Sequence, residues 1–402
     1  MKKQIIIIGA GPAAMSLAAF LDSSKYEVSI YEQSKTAGRK FLVAGKGGFN
    51  LTHAEPMATF VEKYKPSEFL REALLSFTND DLREWLEPLG VPTFGGSSNR
   101  VYPMKGIKPI DVLNAILSEL ENKQVAIYYH HQWLGWTEDG ALRINDLEEE
   151  EVKILKPDYT VFAMGGASWK VTGSDGSWAD LFQERGININ PFQGVNCAIG
   201  VDWPSHFLEF YEGKPLKNLI IYCNGKKQVG EAVITKFGLE GNALYGLSIE
   251  ILKSLNQSGE AEIQLDLKPN NSIDALFSKF SNSKEKKRTD KFRKSLKLNN
   301  TQLALLKAMT SKTDFLNDEK IVSLIKNLPI KITATAPLDE AISTIGGVST
   351  DVLSSKFELQ QIPANFCIGE MVDWYAPTGG YLLQGSFSMG CHLAKHLNEI
   401  TP

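Results

Sequence analysis

Apolar and polar positions fall into blocks along the first forty residues. Gln4 to Ile8 reads QIIII, an unbroken β-branched run with the composition of a strand buried in a parallel sheet. Gly9-Ala-Gly-Pro-Ala-Ala14 follows directly, Met15 to Leu21 is apolar enough for a packed helix, and Glu27 to Tyr31 is a second β-like run that ends at Glu32. Further on, Phe69, Leu74, Leu75, Phe77, Leu82, Trp85 and Leu86 recur near helical spacing and predict a helix over 66–90, closed by Gly90-Val-Pro. A helix is expected over 108–121. A strand is expected from Val125 to Tyr129, with His130 to Gly135 continuing it, and a hairpin from 141–144 and 151–155. Thr160 begins a short buried strand that ends in Gly165-Gly166.

From about Pro191 the pattern changes to short β-like pieces, LIIYC, QVGEAVITKFGLEG and AEIQLDL, that suit a small barrel or sandwich. Residues 271–327 are helical and polar. Near Pro329 the α/β pattern of the first 190 residues returns: Phe366-Cys-Ile-Gly-Glu370 is again strand, glycine and acid, and the glycines from Thr378 onward open a last helix running to about Asn398. The predicted class is α/β. A Rossmann-like domain is split between 1–190 and 330–402, and 191–329 is an insertion, β-rich to about 267 and helical over about 268–329.

The opening motif carries specific chemistry. Gly9 makes a tight turn, Gly11 lets the backbone approach a pyrophosphate because no Cβ intervenes, and Ala14 is small enough for close helix–strand packing. Pro12 and Ala13 open the helix, whose free N–H groups attract phosphate charge. Glu32 lies 21 residues after Gly11, where a carboxylate can accept hydrogen bonds from ribose hydroxyls and repel a 2′-phosphate. The loop from Gln33 to His53 is rich in glycine and holds Arg39, Lys40 and Lys46; the glycines let it wrap a ligand, and the cations neutralise phosphate. Asn50, Thr52 and His53 add donors.

Composition narrows the class. The chain has 402 residues and a net charge of −4, so its bulk balance favours neither nucleic acid nor an anionic membrane. Four cysteines, Cys197, Cys223, Cys367 and Cys391, form no CxxC and no metal-spaced cluster, so no metal and a reduced, cytoplasmic setting are expected. No stretch approaches the roughly 20 apolar residues of a membrane span. Ser283 to Lys297 holds eight Lys or Arg and two acids. With little aromatic interleaving it reads as a solvated helix face, and no stable nucleic-acid partner is expected.

Both termini build one domain, and no second GxGxxG for a nicotinamide is present, which favours FAD over NAD. The chain resembles the two-dinucleotide-fold flavoproteins and, more narrowly, is similar to the BaiN/RdsA (aminoacetone-oxidase-like, HI-type) family. The matching stretches are GAGPAA at 9–14, Glu32, AGRKFLVAGKGGFNLTH at 37–53, FAMGGAS at 162–168, TKFGLEG at 235–241, TIGGV at 344–348 and GEMVDWYAPTGGYLLQGSFSMG at 369–390. The resemblance implies non-covalent FAD in a Rossmann-like domain, with an inserted β-barrel and helical part over the isoalloxazine. It implies Glu32 at the adenosine ribose, and Gly9, Gly11, Arg39, Lys40, Gly369 and Glu370 near the pyrophosphate and ribityl chain. Gly379, Gly380, Tyr381 and Gln384 approach the flavin end, as do Gly45, Lys46, Gly47 and Asn50. Gln33, Trp133, Ala163 and Gly165 count with the cofactor contacts. The wider family reads G-R-C-N where this chain has Gly48-Phe49-Asn50, so its Arg and Cys are not carried over.

The function expected is an FAD-dependent oxidoreductase acting on a small organic molecule, with external NAD(P)H as a possible donor. The alternatives are an amine oxidase of the aminoacetone type using oxygen, a flavoprotein acting on or binding RNA, and a non-catalytic flavin module. Tyr381 and His53 are the candidates for a proton donor near the ring.

Overall fold

The computed structural model describes residues 1–43, 48–96 and 98–400, which divide into two compact units, 1–193 with 343–402, and 194–342. The isoleucine run lies in the central strand, Lys3–Ile8, of a five-stranded parallel sheet. On one side come Tyr159–Phe162 and then Asn365–Cys367, and on the other Tyr26–Tyr31 and then Ala126–Tyr128. A strand with neighbours on both sides and cover on both faces must be apolar throughout, and Ile5 to Ile8 are all buried.

The helix after the glycine turn, Pro12–Phe20, packs on the C-terminal helix, Tyr381–Ile400. The two backbones touch at Gly390: a Cβ there would stand 2.2 Å from Ser16 Oγ and 2.4 Å from the Ala13 carbonyl oxygen. The glycine and Ala13, Ser16 and Leu17 opposite it are one packing unit contributed by the two ends of the chain.

Two expectations are corrected in this unit. The helix expected over 66–90 is two, Ser67–Ser76 and Asn79–Leu86. Thr78 separates them with a capping box: its hydroxyl accepts from Asp81 N–H at 3.2 Å, and Asp81 accepts from Thr78 N–H at 2.7 Å. The strand expected to continue through His130 breaks there, because His130 is left-handed with φ 58°. Residues beyond it, His131–Trp136, join an antiparallel sheet with Leu142–Asp146 and Glu151–Leu155.

The second unit holds a six-stranded antiparallel sheet in the order Ile199–Gly200, Gly238–Glu240, Lys226–Thr235, Pro215–Cys223, Ala261–Asp266 and Leu328–Ile332. The chain after the last strand returns to the first. Gly200 N–H donates to Ala334 O at 2.7 Å, and Thr333 N–H donates to Gly200 O at 3.2 Å, so the sheet curls round on itself. Because Leu328–Ile332 pairs with Ala261–Leu265, residues 330–342, expected with the nucleotide domain, fall within the second unit. The helical stretch 268–326 is an excursion between two neighbouring strands, built on buried Leu276, Phe280, Phe292, Leu306, Ile321 and Ile325. No described helix is long and apolar enough to cross a membrane.

Candidate functional site

A cavity of about 420 Å³ opens in the first unit at the carboxyl end of the central strand, where the glycine turn leaves the sheet. This end of an open parallel sheet is where such folds bind ligands. Gly9 has φ +96°, and a Cβ on it would meet the Ala163 carbonyl oxygen at 2.6 Å, so its glycine is required by the protein itself. Gly11 differs. Its φ is −86°, open to any residue, and a Cβ on it would find no protein atom within 4 Å. Nothing in the fold needs a glycine there. What it preserves is open space beside the N-terminus of the Pro12–Phe20 helix, which carries no side-chain cap.

Glu32 closes the turn from the neighbouring strand. One carboxylate oxygen accepts from Ala10 N–H at 2.9 Å and the other from Ser34 N–H at 2.8 Å. Each oxygen keeps a further lone pair for a sugar hydroxyl. The loop that follows is tied down by its cations. Arg39 donates to Val171 O at 2.9 Å, and Lys40 donates to Ser168 Oγ at 2.8 Å and pairs with Glu370 at 3.2 Å. Trp133 lines the cavity within a cluster of Trp136, Phe162 and Phe182, and its buried indole N–H has no partner among the described residues. An unpaired buried donor on a cavity wall is costly unless a ligand acceptor meets it.

Of the residues expected at the cofactor, Gly9, Gly11, Pro12, Ala13, Glu32, Gln33, Arg39, Lys40, Trp133, Ala163, Gly165, Gly369 and Glu370 line this cavity. Ala14 is buried behind it in the helix. Asn50, Gly379, Gly380, Tyr381 and Gln384 are not on its wall. Gly45, Lys46 and Gly47 lie outside the described residues.

Gln384 is fully buried. Its amide nitrogen donates to Phe77 O at 3.0 Å and Thr78 O at 3.1 Å, holding the C-terminal helix to the turn between the two helices at 67–86. Gly380 is packed against Thr52, whose carbonyl oxygen a Cβ would approach to 2.5 Å. Tyr381 and His53, the expected proton donors, are together: their rings stack with centroids 5.1 Å apart, and the Tyr381 hydroxyl donates to Glu55. Burial, then the Glu55 carboxylate, raises the Tyr381 pKa above that of a free phenol. Burial lowers that of His53, whose Nδ1 accepts the Glu55 N–H at 3.3 Å.

The sequence reading missed part of the wall. Thr172-Gly-Ser-Asp175 lines the cavity together with Trp178 and His131. Gln33 pulls this turn in by donating to Gly173 O at 2.8 Å, and Ser174 anchors it by donating to Gly166 O at 2.7 Å. Gly173 and Gly176 in this turn are the sequence signal that could have found it. His131 had no local signal. Its ring nitrogens face Tyr129 O at 2.6 Å and Asp146 at 3.2 Å.

The profile of the family described as HI0933-like protein Rossmann domain matches residues 3–396. The chain belongs to this family. Among its relatives, the 3-dehydro-bile acid delta(4,6)-reductase of Clostridium scindens is 25% identical over 406 residues, covering 96% of this chain and 97% of that one. The ribosomal RNA dihydrouridine synthase of Escherichia coli is 24% identical over 402 residues, covering 98% and 97%. Among solved structures, the open conformation of a flavocytochrome c3 fumarate reductase superposes with a TM-score of 0.51 at 13% identity, over 98% of this chain and 78% of that one. That likeness concerns the fold.

Proposed function

We propose that the protein is an FAD-dependent oxidoreductase that adds two hydrogens across a carbon–carbon double bond conjugated to a carbonyl, with NAD(P)H as electron donor. The observation that carries the cofactor is the empty space preserved at Gly11 beside an uncapped helix N-terminus. Lys40 is a cation on the cavity wall for a pyrophosphate there, Glu32 offers its remaining lone pairs to ribose hydroxyls, and the unpaired Trp133 N–H awaits an acceptor. FAD bound in this way supplies hydride chemistry that side chains lack.

The relatives support the direction of transfer. A bile-acid reductase and a dihydrouridine synthase both carry names for the arrival of hydrogen at a double bond. A Δ4 bond beside a 3-oxo group and the 5,6-bond of uridine share conjugation to a carbonyl, which makes the far carbon electrophilic. The carbon nearer the carbonyl must then take a proton. Tyr381 is the candidate donor, kept protonated by burial and by Glu55, with His53 stacked on it.

Anaerobic rapid mixing tests the reading. FAD-loaded protein should bleach with NADH or NADPH, and cyclohexenone or a 4-en-3-one steroid should restore the colour without oxygen. Failure to take up FAD, or bleaching by primary amines alone with peroxide formed on admitting oxygen, overturns it.

A further inference from the structure

We infer that Arg100 is the oxyanion-holding residue of this protein: its guanidinium takes the carbonyl oxygen of the acceptor while Tyr381 protonates the carbon beside it. The inference rests on the reductase reading and names the group the site recognises, a neutral carbonyl that becomes anionic during the reaction, in preference to an ammonium.

Two segments bring Arg100 to the proton-donor pair. The short strand Thr52–His53 pairs antiparallel with Arg100–Pro103, and His53 lies directly opposite Arg100. Residues directly opposite each other share one face of a sheet. His53 in turn stacks on Tyr381. The turn before the C-terminal helix completes the group. Gly379 has φ +122°, which favours glycine, and a Cβ there would stand 3.4 Å from the Tyr381 ring and 3.6 Å from Arg100 Nε. Arg100 and Tyr381 therefore border the same point.

The fold makes no use of this guanidinium. Arg39, Arg71, Arg83 and Arg288 each donate to an oxygen of the protein. Arg100 is half-buried, and its guanidinium has no ion pair or hydrogen bond among the described residues. Glu55, the acid of the group, is occupied: it accepts from the Tyr381 hydroxyl and stands 3.7 Å from His53 Nδ1. A cation drawn partly out of water with its donors unused suits an acceptor that the protein does not supply.

The chemistry needs such a cation twice. Burial and Glu55 hold the proton on Tyr381, so its release would leave a phenolate beside a carboxylate, and Arg100 opposes that cost. The second need is at the substrate. When hydride reaches the far carbon of the enone, the π electrons shift toward the carbonyl and its oxygen becomes an enolate anion. Fixed donors aimed at that oxygen stabilise the charge as it develops, and a guanidinium presents them as a rigid fork. The enolate carbon then takes the Tyr381 proton: a C–H bond forms, the O–H bond breaks, the carbonyl is restored, and water returns a proton to the phenolate. The hydride is that of the NAD(P)H in the reductase reading, so the product gains one hydride and one proton.

The test uses full-length, FAD-loaded protein and the variants Arg100→Gln and Arg100→Lys. The probe is 4-nitrophenol, an enolate mimic whose colour distinguishes phenolate from phenol. The natural protein should bind it as phenolate, and Arg100→Gln should bind it at least tenfold more weakly, with Arg100→Lys between the two. In anaerobic rapid mixing, reoxidation of reduced Arg100→Gln by cyclohexenone should slow by about 10²- to 10³-fold, the usual effect of removing one oxyanion donor. Its reduction by NAD(P)H should slow far less, and added guanidinium should restore part of the loss. Unchanged phenolate binding or unchanged reoxidation in Arg100→Gln overturns the inference. So does equal slowing of both half-reactions with a shifted flavin spectrum, which would make Arg100 a residue that only shapes the fold. Failure of the reductase reading looks different: the enone does not reoxidise even the natural protein, while 4-nitrophenolate binding still depends on Arg100, which keeps the anion-holding residue and discards the reaction.

Discussion

Lys40 and Glu370 form an ion pair of 3.2 Å across 330 residues of sequence. One follows the first acid of the dinucleotide motif and the other is the second, so the pair ties the N- and C-terminal arms on the cavity wall. Lys40→Met should leave Glu370 facing the proposed pyrophosphate position without its cation. FAD affinity should fall at least tenfold, measured by titration of apo-protein, while the apo-protein's melting temperature changes little, since partly exposed pairs contribute only about 0–1 kcal/mol. Unaltered affinity would place the cofactor's phosphates elsewhere.

Two glycines should answer oppositely to alanine. At Gly11 a Cβ meets nothing, so Gly11→Ala should keep or slightly raise the stability of apo-protein, by about 0.4–1 kcal/mol through the unfolded chain, and should weaken FAD binding. At Gly390 a Cβ collides with Ser16 and the Ala13 carbonyl, so Gly390→Ala should cost about 1–3 kcal/mol or more by forcing two helices apart. Denaturant melts of both apo-variants beside FAD titrations check the contrast.

Replacing Glu32 tests two roles at once. Glu32→Ala leaves the Ala10 and Ser34 N–H groups without their acceptor, a loss of about 1–3 kcal/mol for each donor that stays dry. It also removes the acceptors proposed for the ribose hydroxyls, so FAD should bind at least tenfold more weakly. Glu32→Gln, which keeps one acceptor oxygen, should recover part of the stability and less of the affinity. Identical apo-stability for Glu32→Ala and the natural protein would refute the turn-closing role.

Tyr381→Phe removes the candidate proton donor and its bond to Glu55 while keeping the ring stacked on His53. Bleaching by NAD(P)H should proceed at the natural rate, and reoxidation by the enone should slow by about 10²- to 10⁴-fold, the usual worth of a positioned acid. Equal slowing of both half-reactions would point to a disturbed cofactor.

Acid sensitivity should show at Asp146. Lys153, at 2.8 Å, is the main cause that brings its pKa down to about 2, with backbone N–H groups and His131 adding to it. A depressed carboxylate stabilises the fold above its unfolded pKa of about 3.9, and that contribution is lost as pH falls toward the folded value. The difference in melting temperature between the natural protein and Asp146→Asn should therefore shrink as pH falls below about 4. A difference that grew with acid would contradict the assignment.

Much of the cavity was legible because its signals are local. The turn from Gly9 to Ala14, the acid at Glu32 and the strand–glycine–acid run at 366–370 each sit within a few residues of the strand that positions them, and a strand's end fixes where its next residues go. The repeat of that pattern at both ends of the chain told of a split domain.

What only the tertiary structure decided are pairings between distant segments. Gln33 reaches the turn at 172–175, and residues 333–336 come back to 198–200 to close the curled sheet. Gln384 spends its amide on a helix–helix turn and not on the cavity wall. Such choices are absent from local periodicity. A residue's pattern says which face is buried, but which group it meets there depends on how the sheet and helices stack, and a polar side chain takes whichever acceptor that stacking places within about 3 Å.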